Sequence, residues 1–241
     1  MANSKRICLW SGPRNISTTL MYSFAQRQDT KVFDEPLYAH YLSNTEAKEY
    51  HPGTQDILNT LEHDGTKVIE SMMTNTEKPV LFFKNMTHHI LHLNKDFMKD
   101  VYNVILTRDP VEMLPSFDKV IKNPTIEDVG YAKHSQLLNY LEANNIKPIV
   151  LDSKRVLLNP KKVLKELCSF IGIPFEENML DWQAGARPED GVWAKYWYAN
   201  IHKSTGYLPY KPKTETFPEH LKPLLKQCQP HYNKLLKYAI G

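Results

Sequence analysis

A chain of 241 residues with 41% hydrophobic residues is long enough for one α/β domain with a well-buried core. Its 30 Lys and Arg against 27 Asp and Glu leave a net charge of +3, too small and too mixed for a nucleic-acid or membrane-surface protein, and no apolar run approaches the roughly 18–20 residues of a membrane helix. Three scattered cysteines (Cys8, Cys168, Cys228) without a C-x-x-C pair, behind an N-terminus lacking a signal-peptide apolar core, predict free thiols in a cytoplasmic protein with no nucleic-acid or membrane partner.

The first strand is predicted at Arg6–Trp10, closed by Ser11-Gly12-Pro13, and Leu20, Met21, Phe24 and Ala25 place a helix over Thr18–Gln26. A second strand follows at Lys31–Asp34, one or two helices between Pro52 and Lys78, and a third strand at Pro79–Lys84. A helical turn at Asp96–Asp100 precedes a fourth strand, Val101–Thr107, apolar enough to be covered on both faces. Pro110 opens a helix running toward Ile121, and a further helix is predicted over Asp128–Asn144. A fifth strand, Pro148–Leu151, is followed by a helix from Pro160 to Ile171 that Gly172 ends. Trp182–Tyr198 is irregular and aromatic, and the last helix spans about Pro218 to Tyr238. Strands alternating with helices predict an open, mostly parallel five-stranded sheet with helices on both faces, one α/β domain over 1–241, with ligands at the carboxyl ends of the strands.

Those ends carry the chemistry. After the first strand, Gly12, Arg14, Asn15, Ser17, Thr18 and Thr19 lead into a helix N-terminus, where unpaired N–H groups, hydroxyls and a guanidinium converge as a phosphate or sulfate cradle. The segment lacks the second glycine and the lysine of a Walker A loop, which argues against ATP hydrolysis at a P-loop magnesium site. The fourth strand ends in Arg108, with Ser116 eight residues on, a pair suited to holding a phosphate from two sides. Two anion sites at neighbouring strand ends imply a ligand with two separated anionic groups.

In this order the residues resemble the sulfotransferases that use 3′-phosphoadenosine 5′-phosphosulfate (PAPS) and release 3′,5′-ADP (PAP), on a fold similar to P-loop nucleotide-binding proteins. The resemblance implies that Arg14, Ser17, Thr18 and Thr19 hold the 5′-phosphosulfate and Arg108 and Ser116 the 3′-phosphate. It further implies that Lys203, Ser204, Thr205 and Gly206 form the loop closing over the nucleotide. Leu151-Asp152, Asn159-Pro160 and Phe170–Pro174 match the family's fifth strand and following helix. Many members carry lysine and a Ser-Gly pair in the first loop, where this chain has Arg14-Asn15-Ile16.

Sulfuryl transfer to a hydroxyl or amine of a small-molecule acceptor needs a base opposite cations that stabilise the leaving nucleotide. Lys84 at the third strand's end, with His88 and His89 beyond it, is similar to the family's lysine and histidine at a longer spacing, and Glu35 after the second strand resembles the glutamate base of other members. The three candidates stay open: an imidazole near its usual pKa of about 6.5 is the easier base at neutral pH, whereas a carboxylate needs a raised pKa. Neighbouring histidines diverge by about 100° on a helix, so at most one is expected to face the donor. Trp182, Trp193, Tyr196, Trp197 and Tyr198 either wall the acceptor pocket or pack in the core, and no metal is expected. The rivals are an ATP-dependent phosphotransferase and a non-catalytic nucleotide-binding module on the same fold.

Overall fold

The computed structural model describes residues 4–241; Met1, Ala2 and Asn3, the start of the stretch expected to hold no signal peptide, lie outside it. Five strands, β1 (Lys5–Ser11), β2 (Thr30–Asp34), β3 (Val80–Met86), β4 (Tyr102–Thr107) and β5 (Ile149–Asp152), form one parallel sheet in the order β2-β3-β1-β4-β5. Alternate residues of β1 serve opposite faces, so Ile7 and Leu9 pack with Leu20, Phe24, Leu164 and Leu167, whereas Cys8 and Trp10 pack with Val68, Met72, Leu137 and Leu141. Burial on both faces explains why the strands read as continuous apolar runs. Each such fully buried side chain contributes about 1.5–3 kcal/mol.

Eleven α-helices are found among the described residues. They are α1 (Ser17–Ala25), α2 (Tyr38–Ser43), α3 (Thr54–Thr60), α4 (Gly65–Thr74), α5 (Pro110–Phe117), α6 (Ile126–Val129), α7 (Tyr131–Ala143), α8 (Ser153–Leu158), α9 (Pro160–Ile171), α10 (Ala194–Trp197) and α11 (Lys222–Leu236). None is long and apolar enough to cross a membrane, and all three cysteines are buried and free.

The helix predicted over Asp128–Asn144 is two helices. Thr125 and Asp128 form a capping box that starts α6 early, and Gly130, at φ 74°, turns the chain left-handed before α7 begins. The helix opened by Pro110 stops at Phe117, short of Ile121, and the last helix begins only at Lys222, after a 3-10 turn at Glu219–Leu221. The helix over Pro160–Ile171 has the predicted bounds: the Asn159 side chain accepts from the Lys162 N–H, and Gly172 ends it at φ 71°. Register fixes the functional edge: Asp34 lies opposite Lys84, Ser11 opposite Met86 and Thr107 opposite Asp152.

Candidate active site

A cavity of about 460 Å³ opens at this carboxyl edge, lined by the β1–α1 loop, the ends of β2, β3 and β4, α5 and the aromatic segment before Tyr198. Two of its residues, Arg14 (φ 54°) and Glu35 (φ 44°), hold left-handed backbones without being glycine. Such conformations cost about 1–3 kcal/mol and persist where the surrounding structure enforces them.

At one side the cavity gathers cations, hydroxyls and the N-terminus of α1. Arg14 is half-buried, donates from Nε to Ser116 Oγ at 3.3 Å, and has no carboxylate within ion-pair distance among the described residues. Burial, and then the neighbouring Arg108, push its pKa down, so two like charges are held together facing one space. Arg108 uses Nε and Nη2 to donate to Glu112, at 3.2 and 3.1 Å, and Nη1 to donate to the Arg14 carbonyl at 2.9 Å. Ser17, Thr18 and Thr19 form the first turn of α1, whose N-cap Ile16 offers no side-chain cap. The Asn15 carboxamide oxygen takes only the Ser17 N–H, at 3.0 Å, while its Nδ2 ties the loop to the Leu106 carbonyl at 3.3 Å. The helix N-terminus is therefore open toward the cavity.

The other side holds a buried charge cluster. Lys84 Nζ, 1% exposed, donates to Asp34 Oδ1 at 2.8 Å, to Glu35 Oε1 and to the Tyr198 hydroxyl at 2.8 Å. Tyr198 donates in turn to Asp34 Oδ2 at 2.7 Å, and the Gly191 N–H reaches the same oxygen at 3.1 Å. Glu35 has only the lysine as partner, and its Oε2 is left open to the cavity. Burial raises the Glu35 pKa, partly offset by Lys84 and reinforced by Asp34. The surrounding carboxylates instead hold the Lys84 ammonium well above its ordinary pKa, against the opposing effect of burial.

His88 and His89 both line the cavity: they close β3 in a 3-10 turn, Thr87–His89, with rings 4.7 Å apart at 84°. His89 stacks on Tyr41 and Tyr38, at 4.6 and 4.9 Å. Burial pushes the His88 pKa down to about 3 and that of His89 well below its usual value, and each Nδ1 is sealed without a partner. These imidazoles are neutral and weakly basic, the reverse of the order of base strength that unperturbed pKa values suggest.

The proposed nucleotide loops divide differently from the sequence expectation. Lys203 is exposed and Thr205 uses its carbonyl to accept from the Trp182 N–H, and neither lines the cavity, whereas Ser204 and Gly206 do. Gly206 faces the chain itself: a Cβ there would lie 2.8 Å from the Leu180 carbonyl oxygen, where it bridges Asp181. Gly206→Ala is expected to cost about 1–3 kcal/mol in chemical denaturation with little change in ligand affinity; equal stability would return this glycine to a ligand-contacting role. Gly12 is buried too, and a Cβ on it would lie 3.1 Å from the Val129 carbonyl oxygen, outside the main cavity.

Of the aromatic segment, Trp193, Trp197 and Tyr198 line the cavity, Tyr196 is exposed, and Trp182 packs edge-on against Tyr22 and Tyr207. Tyr38, His51 and Asp128 also line it, from segments (38–52 and 125–134) that the sequence offers as acceptor-pocket walls, whereas sequence reasoning misses Tyr210 and Lys211. In the sequence Asp34 reads only as part of the second strand, although its position beside Glu35 at the strand end is the available signal.

The sequence pattern described as a sulfotransferase domain matches residues 5–239. Two Arabidopsis thaliana proteins, branched-chain-amino-acid aminotransferase-like protein 2 and protein 1, are each 38% identical, over 94% and 99% of this chain. The match takes in 40% and 43% of their lengths, so the chain spans about two fifths of these relatives. Among solved structures, the sulfotransferase domain of the Synechococcus PCC 7002 olefin synthase aligns at 16% identity and TM-score 0.52, covering 94% of this chain and 95% of that one. The sulfotransferase domain from the curacin biosynthetic pathway aligns at 16% identity and TM-score 0.53, covering 95% and 98%. These likenesses share the parallel sheet described above, and with the pattern running through nearly every described residue, the chain belongs to the sulfotransferase domain family.

Proposed function

We propose that the protein transfers a sulfuryl group from PAPS to a hydroxyl or amine of a small molecule, in the reducing interior of the cell. The observation that carries this reading is the convergence, in one cavity, of an arginine without a carboxylate partner, a second arginine and an open helix N-terminus with the Glu35 carboxylate, of which only Oε1 is hydrogen-bonded. The residues fit the donor: Arg14, Ser17, Thr18 and Thr19 would hold its 5′ side, Arg108 and Ser116 its 3′-phosphate, with Glu112 now occupying Arg108 as an anion would. When bound, PAPS supplies the sulfuryl group and a bisphosphate leaving group.

Glu35 Oε2 takes the proton of the acceptor as its oxygen or nitrogen bonds to sulfur and the sulfur–oxygen bond to the phosphate breaks; the proton then passes to solvent. Arg14 neutralises charge building on the departing oxygen, and Lys84 keeps the Glu35 carboxylate oriented. His88 and His89 are too weakly basic to compete for the proton and instead wall the acceptor side.

Calorimetry tests the donor site. The protein is expected to bind 3′,5′-ADP more tightly than 5′-ADP, and Arg108→Ala to reduce that preference by about 10–100-fold, the size of a lost charge-assisted contact. Equal affinity for the two nucleotides, or an unchanged preference in Arg108→Ala, overturns the assignment; magnesium-dependent binding of ATP would favour a phosphotransferase.

A further inference from the structure

The cavity has a second, uncompensated charge. Asp128 lines it at 9% exposure, and all its hydrogen-bond partners are neutral. Tyr50 donates to Oδ1 at 2.8 Å, and the Thr125 N–H and hydroxyl both donate to Oδ2 at 2.8 Å. No Lys, Arg or His lies within ion-pair distance of it among the described residues; the cation nearest in sequence, Lys133 on α7, forms no ion pair with it. Among the groups whose ionisation its charge shifts are Tyr41, Tyr50, His51 and His88, on the acceptor side.

His51 and His88 bring no positive charge to compensate it, because burial holds their pKa values down to about 4 and about 3. With Asp34 and Glu35 sharing the single Lys84 ammonium, this side of the cavity is left net negative. The three donors solvate the Asp128 carboxylate but bring no positive charge, which a cationic ligand would supply.

An independent observation points the same way. His88 is 6% exposed and makes no hydrogen bond within the protein from either ring nitrogen; Nδ1 is sealed, and Nε2 is left open to the cavity as an unused polar atom. Tyr38, Trp193 and Trp197 add aromatic faces to the same walls, which favour a cation or a flat body. An ammonium group brings three N–H donors, and this wall supplies what they need: a carboxylate and an imidazole that both lack a charged partner.

We propose that Asp128 and His88 form an ammonium subsite, so that the acceptor is a cationic amine carrying a second, reacting hydroxyl on an aromatic body. The role of that hydroxyl rests on the sulfuryl-transfer reading above; the ammonium contact does not.

The test is calorimetry on the full chain with three probes of one shape: tyramine, its uncharged counterpart 4-ethylphenol, and the anionic 4-hydroxyphenylacetate. Tyramine is expected to bind at least about tenfold more tightly than 4-ethylphenol, as a charge-assisted contact gives, with the anion weakest. Asp128→Asn, which keeps an acceptor for the Thr125 donors, should bring tyramine down to the level of 4-ethylphenol and leave the latter within about twofold. Tyr50→Phe removes a hydroxyl donor but not the charge and should retain the amine preference, whereas a purely structural Asp128 predicts that both variants weaken all probes together. Equal binding of tyramine and 4-ethylphenol, equal loss of both in Asp128→Asn, or no tyramine binding at millimolar concentration overturns the subsite. Amine binding without any labelled-sulfate transfer from PAPS would overturn the function proposed above and leave the subsite standing.

Discussion

Glu35→Gln is expected to lower kcat for sulfuryl transfer by about 10²–10⁴ while leaving the protein as stable as before or more so. The two halves of this result have one cause. Glu35 is buried, with Lys84 as its only partner, and the cluster of two carboxylates and one ammonium carries a net charge of −1. Burial raises the Glu35 pKa, so the folded protein binds that proton more tightly than the unfolded chain does. Its stabilising contribution is present below the ordinary carboxylate pKa of about 4.3 and is lost as pH rises through the higher folded value. At neutral pH the ionised group is a cost that Gln removes, while its amide oxygen still accepts from Lys84. The stability gain should therefore grow with pH and vanish in acid. Wild-type kcat/KM should fall on the acid side with a midpoint above the ordinary carboxylate range, and the variant should lack that limb. Denaturation curves and pH–rate profiles read both effects; a variant with full activity removes Glu35 from the role of base.

The sheet was legible because both-face burial writes itself as apolar runs, and the Pro110 and Pro160 starts and the Gly172 stop are local signals read from adjacent residues. The break at Gly130 was harder: the capping pair Thr125–Asp128 marks only where α6 begins, and it is the left-handed backbone of Gly130 that ends α6 and starts α7. Charge was harder still. Arg14, Lys84, Arg108 and Lys203 read alike as strand-end or loop cations, yet the structure sets each apart. Arg14 has no carboxylate partner, Arg108 is held by Glu112, Lys84 is sealed by three oxygens, and Lys203 is exposed outside the cavity lining. What separates Lys84 from Arg14 is the β2–β3 register that puts Asp34 opposite it, together with Tyr198 arriving from more than a hundred residues away. The same non-local burial moves the histidines from the easiest bases to the poorest. Side-chain identity at a strand end can be read in one dimension; the protonation state there belongs to the packed molecule.

Lys84→Met should then be the most damaging single change at the site, costing about 3–5 kcal/mol of stability and abolishing transfer. Methionine fills much of the lysine's volume, so the loss is electrostatic: Asp34 and Glu35 are left side by side at the end of β2 with Tyr198 and the Gly191 N–H serving only the first of them. The deficit should narrow in acid, as the stranded Glu35 takes up a proton. Neutralising the partners together, in Asp34→Asn/Glu35→Gln/Lys84→Met, removes the unpaired charge and should recover most of the stability, because a buried ionic cluster replaced as a unit is often neutral or better. Activity should not return with it. Urea midpoints for the single and triple variants, set beside their transfer rates, separate the two roles of the cluster. A Lys84→Met protein as stable as wild type would deny the cluster its energetic coupling, and a triple variant that still transfers sulfate would make it scaffold alone. The expected pattern, stability recovered and catalysis lost, is that of a charge set kept for its chemistry at a standing cost to the fold.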